Sequence, residues 1–402
     1  MDGEEMTFIK KVLKGIGIVL MVLVVSIIAF AGFLLIAHNQ SLVLPVPTGP
    51  YPVGRVENVW IDNHRIDSLS DRDYEKRELL VWIWYPRSES TQALKAPYLP
   101  AAWVKAYNDA QTIERYTERD FSAIQTNALE NAPIAESQAS YPVIIMQPGL
   151  GLVPADYTVL AENLASHGYI VVGINQTYTS YLIVFPDGHI VWQSEKSSLP
   201  ASADAAGIDE FVSRIGEVWT NDAIFVMNTL QGINMDRENI FYNKLDLVAI
   251  GLFGHSLGGA TAASACKIDS RCKAGADLDG ALFSYQAEGT LPIPFMFMQN
   301  GASDKNSNSM YQAYSTSNSS AYYLSIDGTQ HYNFSDFPLR LLLPAQIKYN
   351  NAGYIGSISP ERGLEITNIY LVAFFDRYLK NIESDLLQNP SSAYPEVQFE
   401  GQ

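Results

Sequence analysis

The sequence predicts an α/β protein with a mostly parallel, doubly wound sheet, preceded by one N-terminal transmembrane helix. Three observations lead there. Short apolar runs alternate with helical patterns between Tyr141 and Tyr378, the chain order that builds a parallel sheet covered on both faces. The run Leu247–Phe253 passes through Gly254-His255-Ser256-Leu257-Gly258-Gly259 into a small-residue helix start, Ala260 to Ala265. Gly15 to Ala37 carries no charge and is dominated by Ile, Val, Leu and Phe.

At about 1.5 Å per residue, the apolar run at 15–37 is long enough to cross a hydrocarbon core of about 30 Å. Lys10, Lys11 and Lys14 precede it, and His38, Asn39 and Gln40 follow. The positive-inside rule then leaves the N-terminus in the cytoplasm and exports the rest. A cleaved signal peptide has a shorter apolar region, about 7–15 residues, and a small-x-small site. This run is longer and ends Leu-Leu-Ile-Ala-His, which favours a retained anchor. The domain plan is residues 1–14 cytoplasmic, 15–37 transmembrane, 38–55 a stiff Pro-rich tether, and 56–402 the folded domain.

Within that domain, Glu78 to Tyr85 reads as a strand stopped by Pro86. Ser88 to Ser140 is polar and Ala-rich, with a helical stretch near Ala102 to Phe121; it is either a surface excursion or part of a cap. Strands follow at Tyr141–Gln147, Tyr169–Asn175, Leu247–Phe253, Lys273–Leu278, Pro292–Asn300 and Ala321–Asp327. Helices fall at Ala155–His167, Ile208–Leu230 and Leu364–Tyr378. On such a sheet, functional side chains gather at the C-terminal ends of the strands.

A formal charge of −17 and a pI near 4.7 argue against nucleic acid as a partner, because phosphate would be repelled. Residues 1–14 balance Asp2, Glu4 and Glu5 against Lys10, Lys11 and Lys14, so the acidic excess lies wholly in the exported part. Cys266 and Cys272 are too few for a disulfide scaffold and too close for a zinc site. Either a bridge between them or two inert buried thiols fits. No cluster of His or Cys implies a metal, and nothing implies a cofactor.

The Leu247–Ala265 stretch has the strand–turn–helix context of a G-x-S-x-G elbow, whose sharp turn pushes the serine oxygen out at the end of the sheet. Ser256 then sits beside the positive end of the following helix. A neutral serine needs a base, and the oxyanion it creates needs donors. Of the six histidines, at 38, 64, 167, 189, 255 and 331, only His331 follows Ser256, and on this architecture the order is Ser, acid, His. The elbow turns His255 away from the serine, so it reads as a packing or supporting residue.

The orienting carboxylate must come from Asp269, Asp277, Asp279, Glu288, Asp304 or Asp327. Asp279 ends a strand just before Gly280, and Asp304 follows the next strand in Asn300-Gly301-Ala302-Ser303-Asp304. Asp277 shares the face of Asp279 but lies deeper. Position alone leaves Asp279 and Asp304 level. The oxyanion donors would be the amide of Leu257 and that of Leu150, in Gln147-Pro148-Gly149-Leu150-Gly151-Leu152. Phe337 to Pro344 is unusually apolar for a loop; it reads as a lip that meets lipid or an acyl chain, or, more commonly for such runs, as core packing.

These residues carry a family resemblance. The elbow Gly254-His255-Ser256-Leu257-Gly258-Gly259-Ala260-Thr261 resembles that of platelet-activating-factor acetylhydrolases and their bacterial relatives, on the α/β-hydrolase fold. So do Gly149-Leu150-Gly151, Leu164-Ala165-Ser166-His167-Gly168-Tyr169-Ile170-Val171, Leu278-Asp279 and His331-Tyr332-Asn333-Phe334-Ser335-Asp336-Phe337. The resemblance runs in order from about Val53 to Leu379 and implies Asp279 as the acid. Pro148 stands where the family often has His, Leu257 where it often has Phe, and Gly280-Ala281 where an aromatic often follows the acid. The last of these leaves the acyl or headgroup preference open.

The resulting expectation is a membrane-anchored serine esterase with its catalytic domain outside the cytoplasm. The resemblance implies short-chain or oxidised acyl esters, phospholipids included. A broad carboxylesterase or polyester hydrolase using Asp304, and a non-catalytic binding module on the same fold, are the competing expectations.

Overall fold

The computed structural model describes residues 3–89, 92–110, 113–200, 202–282, 290–305 and 309–401; Glu288 lies outside them. Helix α1 (Gly3–Asn39) is long and apolar, with a mean hydropathy of 3.1 over its most apolar window, and it projects from the domain uncovered. A core helix would be buried; this one is not.

Residues 38–55 do not form the tether expected of them. His38 is buried, its Nδ1 donating to the carbonyl of Glu118 at 2.6 Å, and Asp120 N donates back to His38 O at 2.8 Å. Arg119 Nη1 donates to Ala37 O at 3.0 Å. The prolines keep this stretch extended, and an extended chain can pair: β1 (Leu42–Val43) runs parallel to Ile124–Glu130. Thr48 and Gly49 then bond Asn163 and Ser166.

Strands β2 (Val53–Ile66), β3 (Lys76–Pro86), β4 (Lys95–Pro97), β5 (Ile124–Glu130), β6 (Tyr141–Gln147), β7 (Ile170–Asn175), β10 (Leu245–His255), β11 (Cys272–Leu278), β12 (Phe295–Asn300), β13 (Ala321–Ile326) and β14 (Val397–Gly401) join β1 in one mixed sheet. Its order is β1-β5-β2-β3-β7-β6-β10-β11-β12-β13-β14, with β4 on β5; β8 (Leu182–Val184) and β9 (Ile190–Trp192) form a separate hairpin. The run from β7 to β13 is parallel, and β2–β3, β3–β7 and β13–β14 pair antiparallel. Every residue of β6, β7 and β12 is buried, as expected of strands covered on both faces.

Helices α2 (Ala101–Ala110), α3 (Thr158–Ser166), α4 (Ala205–Met235), α5 (Leu257–Ile268), α6 (Ser309–Ser315), α7 (Phe337–Arg340), α8 (Leu343–Asn351) and α9 (Pro360–Lys380) complete the fold. α3 and α9 pack with the large core cluster around Trp82, Phe253 and Phe375, and α4 and α5 with the cluster around Ile145 and Leu252 on the other face. The Ser88–Ser140 segment joins the structure through β4, α2 and β5, and the helix expected to Phe121 stops at Ala110. Phe337, Leu339, Leu341 and Leu342 are buried, so that run is mostly core; Leu343 faces solvent. Cys266 and Cys272 are disulfide-bonded across the α5–β11 turn.

Candidate active site

Sheet register brings the predicted residues to one edge. Gly254 of β10 stands opposite Gln147 of β6, and His255 opposite Leu278 of β11, so the next residues after the three strands leave the sheet within one residue of the same level. Those next residues are Pro148, Ser256 and Asp279. β12 and β13 end alongside, Asn300 opposite Ile326, and the following loop delivers His331.

Ser256 occupies the sharp turn between β10 and α5, at φ 57° and ψ −127°. Its N–H donates to Leu278 O at 2.9 Å, while its carbonyl accepts from Gly259 and Ala260 and starts the helix. A Cβ at Gly254 would lie 2.2 Å from the Gly258 carbonyl carbon, and one at Gly258 would lie 2.3 Å from Gln147 O. Only glycine lets the turn close this tightly. The dipole of α5 points its positive end at the serine.

Asp279 is also held at positive φ, 53°, by its N–H bond to Met298 O at 2.7 Å. Its Oδ2 meets His331 Nδ1 at 2.7 Å. Its Oδ1 accepts from Gln299 Nε2, Asn300 N and Asn300 Nδ2, each at 2.8 Å. An ionised carboxylate accepts all four; the imidazole then carries its proton on Nδ1 and keeps a lone pair on Nε2 for a proton from elsewhere. Asp304, level with Asp279 by position alone, is an exposed residue of the turn after β12. Asp277 lies buried behind the elbow, where Gly280 N donates to its Oδ1 at 2.9 Å, and burial pushes its carboxyl well above the usual range.

His331 opens a single 3-10 turn, His331–Phe334, whose Asn333 Oδ1 accepts from Gln330 N and Gly356 N. His255 lies behind this turn, its Nε2 at 2.8 Å from the carbonyl of His331. Ser256, His331, Asp279, Leu150 and Leu257 all border one cleft of about 470 Å³, together with Gln299, Asn300 and Ser303. A second cavity of about 520 Å³ begins one residue along the same loop, at Gly151 and Leu152, and is walled by Tyr107, Phe121, Tyr181 and Arg340. Among the described residues, no group of three or more His, Cys, Asp or Glu is placed to hold a metal ion.

Sequence reasoning missed Gln299 and Asn300. Both stand at a strand's C-terminal end, the available signal, but neutral amides there have no motif of their own. It also missed Tyr157, whose hydroxyl accepts from Gly149 N at 2.9 Å.

The chain is similar to known proteins over most of its length. The model of the family described as platelet-activating factor acetylhydrolase, isoform II, matches residues 36–186 and 223–393. A probable 1-alkyl-2-acetylglycerophosphocholine esterase of Arthroderma benhamiae is 25% identical over 90% of this chain and 94% of its own. The platelet-activating factor acetylhydrolase of Cavia porcellus is 22% identical over 86% and 80%. Among solved structures, a ferulic acid esterase from Streptomyces cinnamoneus superposes with a TM-score of 0.75 at 27% identity, covering 90% of this chain and 99% of that one.

Proposed function

Because this chain belongs to the platelet-activating factor acetylhydrolase family, isoform II, and is a carboxylic ester hydrolase, we propose that Ser256, His331 and Asp279 form its catalytic triad. The observation that carries this is the 2.7 Å bond from His331 Nδ1 to Asp279, at the mouth of the cleft that Ser256 borders.

In this reading His331 Nε2 takes the proton of Ser256 Oγ as that oxygen attacks the ester carbonyl. The amides of Leu257 and Leu150 hold the oxyanion. Gly149 N–H is committed to Tyr157, which supports Leu150 as the donor from that loop. His331 returns its proton to the leaving alcohol, and water then releases the acyl group from Ser256. Asp279, fixed by Gln299 and Asn300, keeps the ring in the required tautomer.

The substrates in this reading are short-chain or oxidised acyl esters, phospholipids among them. α1 anchors the enzyme in a membrane with its N-terminus cytoplasmic and the domain outside. The docking of Ala37 and His38 against residues 118–120 supports an anchor retained as part of the fold, and the Cys266–Cys272 bridge suits an oxidising compartment. A broader carboxylesterase is the second reading, favoured by the 99% coverage of the ferulic acid esterase chain. A series of p-nitrophenyl esters of rising acyl length, run beside 2-acetyl and 2-palmitoyl phosphatidylcholine, separates the two. Activity confined to short acyl groups, including the 2-acetyl phospholipid, supports the first. Turnover of aryl and long acyl esters without phospholipid activity overturns it.

A further inference from the structure

Behind the cleft, three hydrogen bonds, two of them buried, join the oxyanion loop to the base. Gly149 N donates to Tyr157 Oη at 2.9 Å. Tyr157 Oη lies 2.7 Å from His255 Nδ1, and His255 Nε2 lies 2.8 Å from His331 O. The protons follow by elimination. A carbonyl only accepts, so His255 Nε2 carries the hydrogen. A neutral imidazole then has its lone pair on Nδ1, so the Tyr157 hydroxyl donates there and its oxygen is left to accept from Gly149.

The residues are suited to a fixed, uncharged link. Tyr157 and His255 are each 1% exposed. Burial, and then the nearby His331 ring at 4.6 Å between centroids, drives the His255 imidazole far below its ordinary range, so it stays neutral. Phe334 packs beside it at 6.3 Å. A leucine would fill such a core position without leaving buried polar groups to satisfy. The His–Tyr pair instead bonds within itself and, at its two ends, to backbone groups of the loops that carry Leu150 and His331.

We infer that His255 and Tyr157 are positioning residues for ester hydrolysis: they hold the oxyanion loop and the main chain of His331 at one mutual spacing. The inference rests on the triad reading above. Both residues act through others. His255 fixes the peptide from which the base projects, and Tyr157 occupies Gly149 N–H, so the loop presents its next amide. A displacement of about 1 Å in such a site costs about 10²-fold in rate.

The test compares His255→Leu, His255→Gln and Tyr157→Phe in the full chain, with Ser256→Ala as the reference for the triad. kcat and KM for p-nitrophenyl acetate are scaled to fluorophosphonate-titrated enzyme, and thermal unfolding is followed in parallel. Glutamine keeps a nitrogen that can donate to His331 O; leucine does not. The expected result is a kcat about 10²-fold down in His255→Leu with KM within about threefold, recovery of at least tenfold in His255→Gln, and a loss of about tenfold in Tyr157→Phe. Equal kcat in the leucine and glutamine variants, or losses that appear in KM instead, would overturn the inference. If His255→Leu does not fold, Tyr157→Phe decides: a parental kcat overturns the inference, and a tenfold loss at unchanged melting temperature supports it. Full turnover in Ser256→Ala would overturn the triad and this inference together, whereas failure of the glutamine rescue with Ser256→Ala inactive overturns the inference alone.

Discussion

Asp279 and Asp304 show what decides a residue's part. Both follow a strand of the parallel sheet, and in sequence they are equal. In space the positive φ of Asp279 turns its carboxylate toward His331, while Asp304 is exposed in the next turn. Asp279→Asn should lower kcat by about 10⁴-fold through the wrong imidazole tautomer, and Asp304→Asn should leave it within about twofold. The reverse ranking in p-nitrophenyl acetate turnover contradicts the assignment. Asp277, two residues away, makes a different prediction. Burial pushes its carboxyl well above the usual range in the fold, and among the described residues its Oδ2 has no partner. The unfolded chain ionises it near pH 4, so above that pH the native state binds the extra proton and stability falls as pH rises toward the folded value. Asp277→Asn removes that slope. Relative to the parent it should gain stability as pH rises above the unfolded carboxyl range in denaturant titrations; a difference that does not change with pH contradicts this. Chain order at strand ends narrowed the partner of His331 to Asp279 or Asp304, and only the family resemblance favoured Asp279. Gln299, Asn300 and Tyr157 were not legible in sequence, because a neutral amide or a tyrosine gains its meaning only from the neighbour the sheet brings to it.

Elements divide the same way. Strands β6, β7, β10, β11, β12 and β13 were legible because a strand buried on both faces reads as a continuous apolar run, and α3, α4 and α5 because helical patterns stand between them. β2 was not: Val53–Ile66 contains Arg55, Glu57, Asn58, Asp62, Asn63, His64 and Arg65, and it is a strand because β3 pairs with it along its length. β1, the β8–β9 hairpin and β14 are short or at an edge, with too few residues to show a period. Polar strands of this kind are fixed by side-chain partners. Arg77 of β3 donates to Asp222 of α4 at 3.1 and 2.6 Å and to Asp67 at 3.0 Å, and Arg65 adds a bond to Asp222 at 2.8 Å. Arg77 and Asp222 are both buried, so removing one leaves charge stranded in the core. Asp222→Ala should cost about 3–5 kcal/mol in chemical denaturation. A loss below about 1 kcal/mol would show that the cluster does not bind α4 to the outer strands.

At the scale of the whole molecule, the C-terminal end of α1 is bonded to the domain at residues 118–120. Composition predicts α1 readily, and the same prolines that suggested a tether instead keep residues 41–52 extended against the domain. Truncation before Ala37 should therefore release a soluble domain with p-nitrophenyl acetate turnover within about threefold of the full chain, while the full chain sediments with membranes. Equal partitioning of the two would remove the anchor from the account. The site itself is tested most directly by fluorophosphonate modification of the full chain followed by peptide mass spectrometry. A single adduct is expected, on Ser256, absent in Ser256→Ala and formed far more slowly in His331→Ala. An adduct on another residue, or ester turnover that persists in a chain fully modified at Ser256, would contradict the assignment of Ser256.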